Sequence, residues 1–133
     1  MKVYIFGNED LPADNRALET AEKIRTVFND IEFINIKPNE DLPIINGGRL
    51  IMMDVVQGID KVEVLGAADI DKLILPPRAS VHDFDLGWQL KYLKKIGQLN
   101  DFMIIGLPMR GDIDYRRIHS ILRKLVAQDM QGS

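Results

Sequence analysis

The segment Leu50-Ile51-Met52-Met53 is apolar without a break and is halted by Asp54. A strand with one face in water alternates apolar and polar side chains, so an unbroken run reads as a central strand covered on both faces. Phe102 to Leu107 reads the same way and ends at Pro108. Strands buried on both sides need layers above and below them, which a parallel sheet obtains from its crossover helices.

The rest of the chain supplies the remaining pieces. Val3 to Phe6 is a first strand that ends at Gly7-Asn8. Ile31, Phe33, Ile34 and Ile36 form a second, closed by Lys37-Pro38-Asn39 because the residue before a proline is pushed out of the helical region. Val62 to Leu65 alternates weakly and reads as an edge strand, and Lys72 to Pro77 as an extended connector. Apolar side chains recur at helical spacing in three places: Ala17, Leu18, Ala21, Ile24, Val27 and Phe28, capped by Asp14 or Asn15 and stopped at Asn29-Asp30; Phe84 to Ile96, opening near Asp83; and Ile118, Ile121, Leu122, Leu125 and Val126. The expectation is an α/β fold: three layers, with a mostly parallel twisted sheet of about five strands and helices on both faces. At 133 residues the chain reads as one domain spanning 1–133.

Composition removes several function classes. There is no cysteine, which excludes a disulfide scaffold, a zinc-thiolate site and a cysteine nucleophile. Lys+Arg 17 against Asp+Glu 20 gives a net charge of -3, without the basic excess that binding a phosphate backbone requires. The amino terminus meets polar residues too soon for a signal-peptide core, and no run approaches the roughly 18 apolar residues of a membrane span. The chain is expected to be cytoplasmic and monomeric, bound to neither nucleic acid nor membrane.

In open sheets of this class ligands bind beyond the carboxyl ends of the strands, where successive loops converge. That rule selects Asp14 in the loop leaving the first strand, Asp54 directly after the third, and His82 just before the helix opening near Asp83. Each has an ordinary alternative: a helix cap for Asp14, a turn former for Asp54, a helix-start contact for His82. Together, two carboxylates and an imidazole make a first shell for a divalent metal such as nickel or zinc, with positions left open for substrate or water. His119 reads as a surface or partly packed residue; Met52, Met53, Met103 and Met109 as core or core-edge; Arg78, Arg110 and Gly47-Gly48 as solvated loop elements.

Gly7-Asn8 followed by Asp14, the strand-end Asp54, and Ser80-Val81-His82-Asp83 entering a helix resemble, in order and context, the motifs of the nickel-iron hydrogenase maturation endopeptidases. Ile104-Ile105-Gly106-Leu107-Pro108 is also similar to that family. The resemblance implies a phosphorylase/hydrolase-like twisted sheet between helices. It further implies cleavage of a carboxyl-terminal extension from the hydrogenase large-subunit precursor after nickel insertion. Asp14, Asp54 and His82 would then be the catalytic and metal-contacting residues, recognising the nickel of the substrate rather than holding a permanent centre; another divalent metal in the cleavage step is left open. Ala13, Asn15 and Ala17 stand where the family has an acidic residue and glycines.

Two other readings remain at this stage. Leu50 to Asp54 also looks like the acceptor strand of a phosphoacceptor (receiver-like) signalling domain, with Glu9-Asp10 holding magnesium, although Gly66-Ala67-Ala68 and Pro108-Met109-Arg110 lack the hydroxyl and lysine such a domain needs. The other is a non-catalytic metal- or protein-binding relative that keeps the fold.

Overall fold

The computed structural model describes residues 1–6, 15–36, 49–56, 59–66 and 101–131. Strands β1 (Lys2–Phe6), β2 (Glu32–Ile36), β3 (Arg49–Val56), β4 (Glu63–Gly66) and β5 (Asp101–Pro108) form a five-stranded sheet in the order β2-β1-β3-β5-β4. All neighbours run parallel except β4, which lies antiparallel to β5 at one edge. The mostly parallel α/β expectation therefore holds, with one antiparallel margin. The expected connector at Lys72 to Pro77 and the helix opening near Asp83 lie outside the described residues.

Side chains alternate across the sheet, and the two faces can be followed strand by strand. Val3 and Ile5, Ile51, Met53 and Val55, and Ile105 and Leu107 point to one face and join a single core cluster with both described helices. Helix α1 (Arg16–Arg25) buries Ala17, Thr20, Ala21 and Ile24, a stripe at i, i+3, i+4 and i+7. Two alanines in that stripe let the helix axis approach the strands closely. Helix α2 (Tyr115–Gln131) buries Ile118, Leu122 and Leu125 on the same cluster. On the other face Tyr4, Phe6, Leu50, Met52, Phe102 and Ile104 are buried as deeply, with neither described helix among their partners. The central strands are thus covered on both sides, which is why β3 and β5 read as unbroken apolar runs.

Several element ends differ from expectation. The first helix stops at Arg25, which leaves Val27 51% exposed while Phe28 turns back into the core. Asn15 occupies the cap position of α1 but makes no capping hydrogen bond with its side chain. Asp114 caps α2 instead, accepting from the Arg117 amide at 3.1 Å. Strand β5 includes Pro108, aligned with Val56 as the last residue of the ladder, where a missing N–H is tolerated. Met109, just beyond, is exposed, whereas Met52 and Met53 are fully buried; the core placement expected of Met109 is corrected, because the strand that would have carried it inward has ended.

Candidate functional site at the carboxyl ends of the strands

Asp54 is the one sequence-selected site residue that the described structure places. It lies within β3 rather than directly after it, since the strand runs on through Val55 and Val56. That corrects the expected strand end from Met53 to Val56: β-branched valines extend the ladder, and the aspartate does not interrupt it. Alternation puts its side chain on the face of Met52 and Val56, away from α1 and α2. It is 1% exposed, and its Oδ1 accepts the Val55 amide at 2.8 Å. Burying a carboxyl group inside apolar surroundings is unfavourable unless hydrogen bonds or a cation offset it.

The sheet is shaped around this position. Asp54 sits opposite Gly106, which in turn sits opposite Glu63 across the edge strand. A Cβ at Gly106 would meet Val56 Cγ2 at 3.1 Å, Ile59 Cδ1 at 3.2 Å and the Glu63 carbonyl at 3.4 Å. Any larger residue there would make Val56 and Ile59 give way by a few tenths of an ångström, and glycine lets them close over β5 beside the buried acid. A glycine inside a strand pattern is a sequence signal for such close approach, and Gly106 could have been found that way.

Next to β5, the loop of residues 109–114 is tied to the start of α1. The Arg16 guanidinium donates to the Met109 carbonyl at 2.8 Å and also to the Gly111 carbonyl. Gly111 adopts φ +84, a left-handed conformation that favours glycine. A cleft of about 620 Å³ lies along this junction, bordered by Arg16, Glu19, Lys23, Asp112 and Tyr115, with the Lys23 ammonium 5.5 Å from the Tyr115 ring centre. Nothing local in the sequence marks Arg16, because its partners are 93 and 95 residues away.

Asp14 and His82 lie outside the described residues, as do Gly7, Asn8, Glu9 and Asp10, so the structure sets out the geometry of Asp54 alone. Among the described residues no three His, Cys, Asp or Glu side chains gather as a metal site. His119 is partly buried in α2, its ring edge-on to Phe28 at 5.5 Å, in keeping with a packing role.

A mostly parallel sheet with an acidic residue near the carboxyl end of its central strand is an α/β architecture, a class in which ligands commonly bind at that end. The fold is shared with the hydrogenase maturating endopeptidase HybD from E. coli, at a TM-score of 0.62 and 14% identity over 100% of this chain and 94% of that one. An endopeptidase from Escherichia coli, solved in solution, superposes with a TM-score of 0.57 at 16% identity, over 96% of this chain and 91% of the other. No protein-family model matches the sequence, and no curated protein matches it by sequence. The two solved structures establish what the fold is. The antiparallel β4 departs from the all-parallel order of receiver-type sheets.

Proposed function

We propose that the protein is an endopeptidase of the hydrogenase maturation type, removing the carboxyl-terminal extension of a nickel-iron hydrogenase large-subunit precursor after nickel insertion. The observation that carries this reading is the buried Asp54 near the carboxyl end of the central strand, in a fold shared along nearly its whole length with two endopeptidases. The motif resemblance at Asp14, Asp54 and Ser80 to Asp83 supports the same assignment. In this reading the protein works in the cytoplasm as a monomer. None of the described helices is long and apolar enough to cross a membrane.

Nickel belongs to the substrate. Two carboxylates supply charge and neutral imidazole suits a borderline cation, so Asp14, Asp54 and His82 form a suitable contact set for nickel held in the precursor. Metal recognition would then govern specificity, because a precursor without nickel would leave two carboxylates facing each other without a cation between them. Hydrolysis adds water across the scissile amide: the water oxygen bonds to the carbonyl carbon, the carbon–nitrogen bond breaks, and the amine leaves with a proton. Asp14 or Asp54 would accept the proton from the attacking water as general base.

The test is direct. Purified protein mixed with a nickel-loaded large-subunit precursor should shorten it by one defined tail, read by intact mass, and the nickel-free precursor should stay whole. A precursor that keeps its tail under these conditions would remove the assignment.

A further inference from the structure

The sheet ends at one margin in β2, and one hydrogen bond fixes which way its backbone groups point. The Glu32 amide donates to the Met1 carbonyl at 2.9 Å, so Glu32 turns its N–H and C=O toward β1. Backbone groups alternate sides along a strand, so Ile34 and Ile36 do the same, and Phe33 and Asn35 turn theirs outward. Among the described residues no hydrogen bond reaches those outward groups. Native edges are commonly blunted by a lysine, a proline or a bulge. The strand Glu32-Phe33-Ile34-Asn35-Ile36 contains neither lysine nor proline, and its five registers with β1 run without a bulge.

The strand is complementary to itself. When two copies lie edge to edge and antiparallel about a twofold axis, only the register centred on Ile34 overlaps all five residues. Phe33 and Asn35 of one copy then lie opposite Asn35 and Phe33 of the other, and their outward groups exchange hydrogen bonds across the junction. Ile34 meets Ile34 of the second copy at the axis, on the Tyr4 side of the sheet. Such a pair has no direct hydrogen bonds and brings its Cα atoms within about 4.5 Å. Ile34 is only half-buried in one copy, so pairing removes apolar surface from water. Each Glu32 faces Ile36 of the second copy, which sets the two carboxylates four registers apart, about 14 Å, beyond the screening length of about 8 Å at physiological salt.

We infer that β2 is a self-association edge: a second copy of this chain adds its own β2 antiparallel, centred on Ile34, and the two sheets become one. The twofold axis stands perpendicular to the sheet, so the face carrying α1 and α2 stays on the same side in both copies. Five residues from each copy make a small interface, so pairing is weak and reversible, and the dilute chain remains a monomer. The inference is independent of the peptidase reading.

Sedimentation velocity of the full chain between about 10 μM and about 1 mM should show the average mass rising from one chain toward two, as a small interface requires. Asn35→Pro removes an outward donor and spares the ladder with β1, because proline is tolerated where its N–H would face away from the sheet. Ile34→Lys sets like charges against each other at the axis. Each should raise the concentration needed for pairing about tenfold or more, with an unchanged circular dichroism spectrum. Cross-linking reads the register, since the chain has no cysteine. Ile34→Cys brings two thiols within the Cα separation a disulfide spans, and dissolved oxygen should link the copies. Asn35→Cys is more exposed but lies two registers out of line, beyond the limit of about 7 Å, and should not link. A chain that stays single at every concentration overturns the inference and leaves the edge to a strand of another protein. So does association indifferent to both Asn35→Pro and Ile34→Lys, or equal cross-linking of the two cysteine variants.

Discussion

Asp54 carries an ionisable carboxyl in the most apolar strand of the protein, flanked on its own face by Met52 and Val56. Its replacement by asparagine keeps the shape and removes the charge. In the proposed reaction Asp54→Asn should therefore lose precursor processing altogether while urea unfolding shows stability equal to or above the parent, since active-site acids are commonly held at some expense of stability. Full processing by this variant would free Asp54 of any catalytic duty. Gly106 answers a steric question rather than a chemical one. Gly106→Val forces atoms onto Val56 and Ile59, and overpacking of this kind destabilises by about 1–3 kcal/mol, read as a lower urea midpoint at constant m. An unchanged midpoint would mean that Ile59 moves aside without penalty. Asp54 was legible in the sequence as an acid halting an apolar run, but its place inside the strand was not, because a buried aspartate looks the same on paper as a strand-ending one.

Helix α1 and helix α2 are anchored by different devices. α2 begins at a side-chain cap, and Asp114→Ala should cost about 1 kcal/mol, visible as a lower thermal midpoint; no change would show that other groups satisfy the first-turn amides. α1 has no such cap, and its start is instead secured across the molecule by the two carbonyl bonds of Arg16. The Arg117 guanidinium does similar work for the edge strand, its Nε donating to the Val62 carbonyl just ahead of β4. Periodicity revealed both helices because their inward stripes are apolar. It could not reveal these arginine contacts, which depend on residues brought together only by folding. The weak alternation of Val62 to Leu65 was enough to suggest an edge, but strand direction is set by pairing partners and leaves no mark in four residues.

At the scale of the whole molecule, the α/β class followed from the spacing of apolar runs, and the shared fold with two endopeptidases agrees with it. The gathering of Asp14 and His82 about Asp54 rests on motif resemblance, for Asp14 and His82 lie outside the described residues. One consequence of the strand pairing concerns how the protein yields. Among the described residues the sheet consists of two ladders, β2 with β1 and β3 with β5 and β4, joined along a seam at the registers Tyr4↔Met52 and Ile5↔Met53. The registered pairing described along that seam is shorter than within either ladder, so the amides of β1 and β2 should exchange with solvent through a shared partial opening at lower free energy than those joining β3 to β5. Native-state hydrogen exchange in dilute denaturant measures this, and one common opening energy for all five strands would contradict it. If the two ladders do separate first, the protein breathes along a line running through its centre, and its margins are not where it gives way.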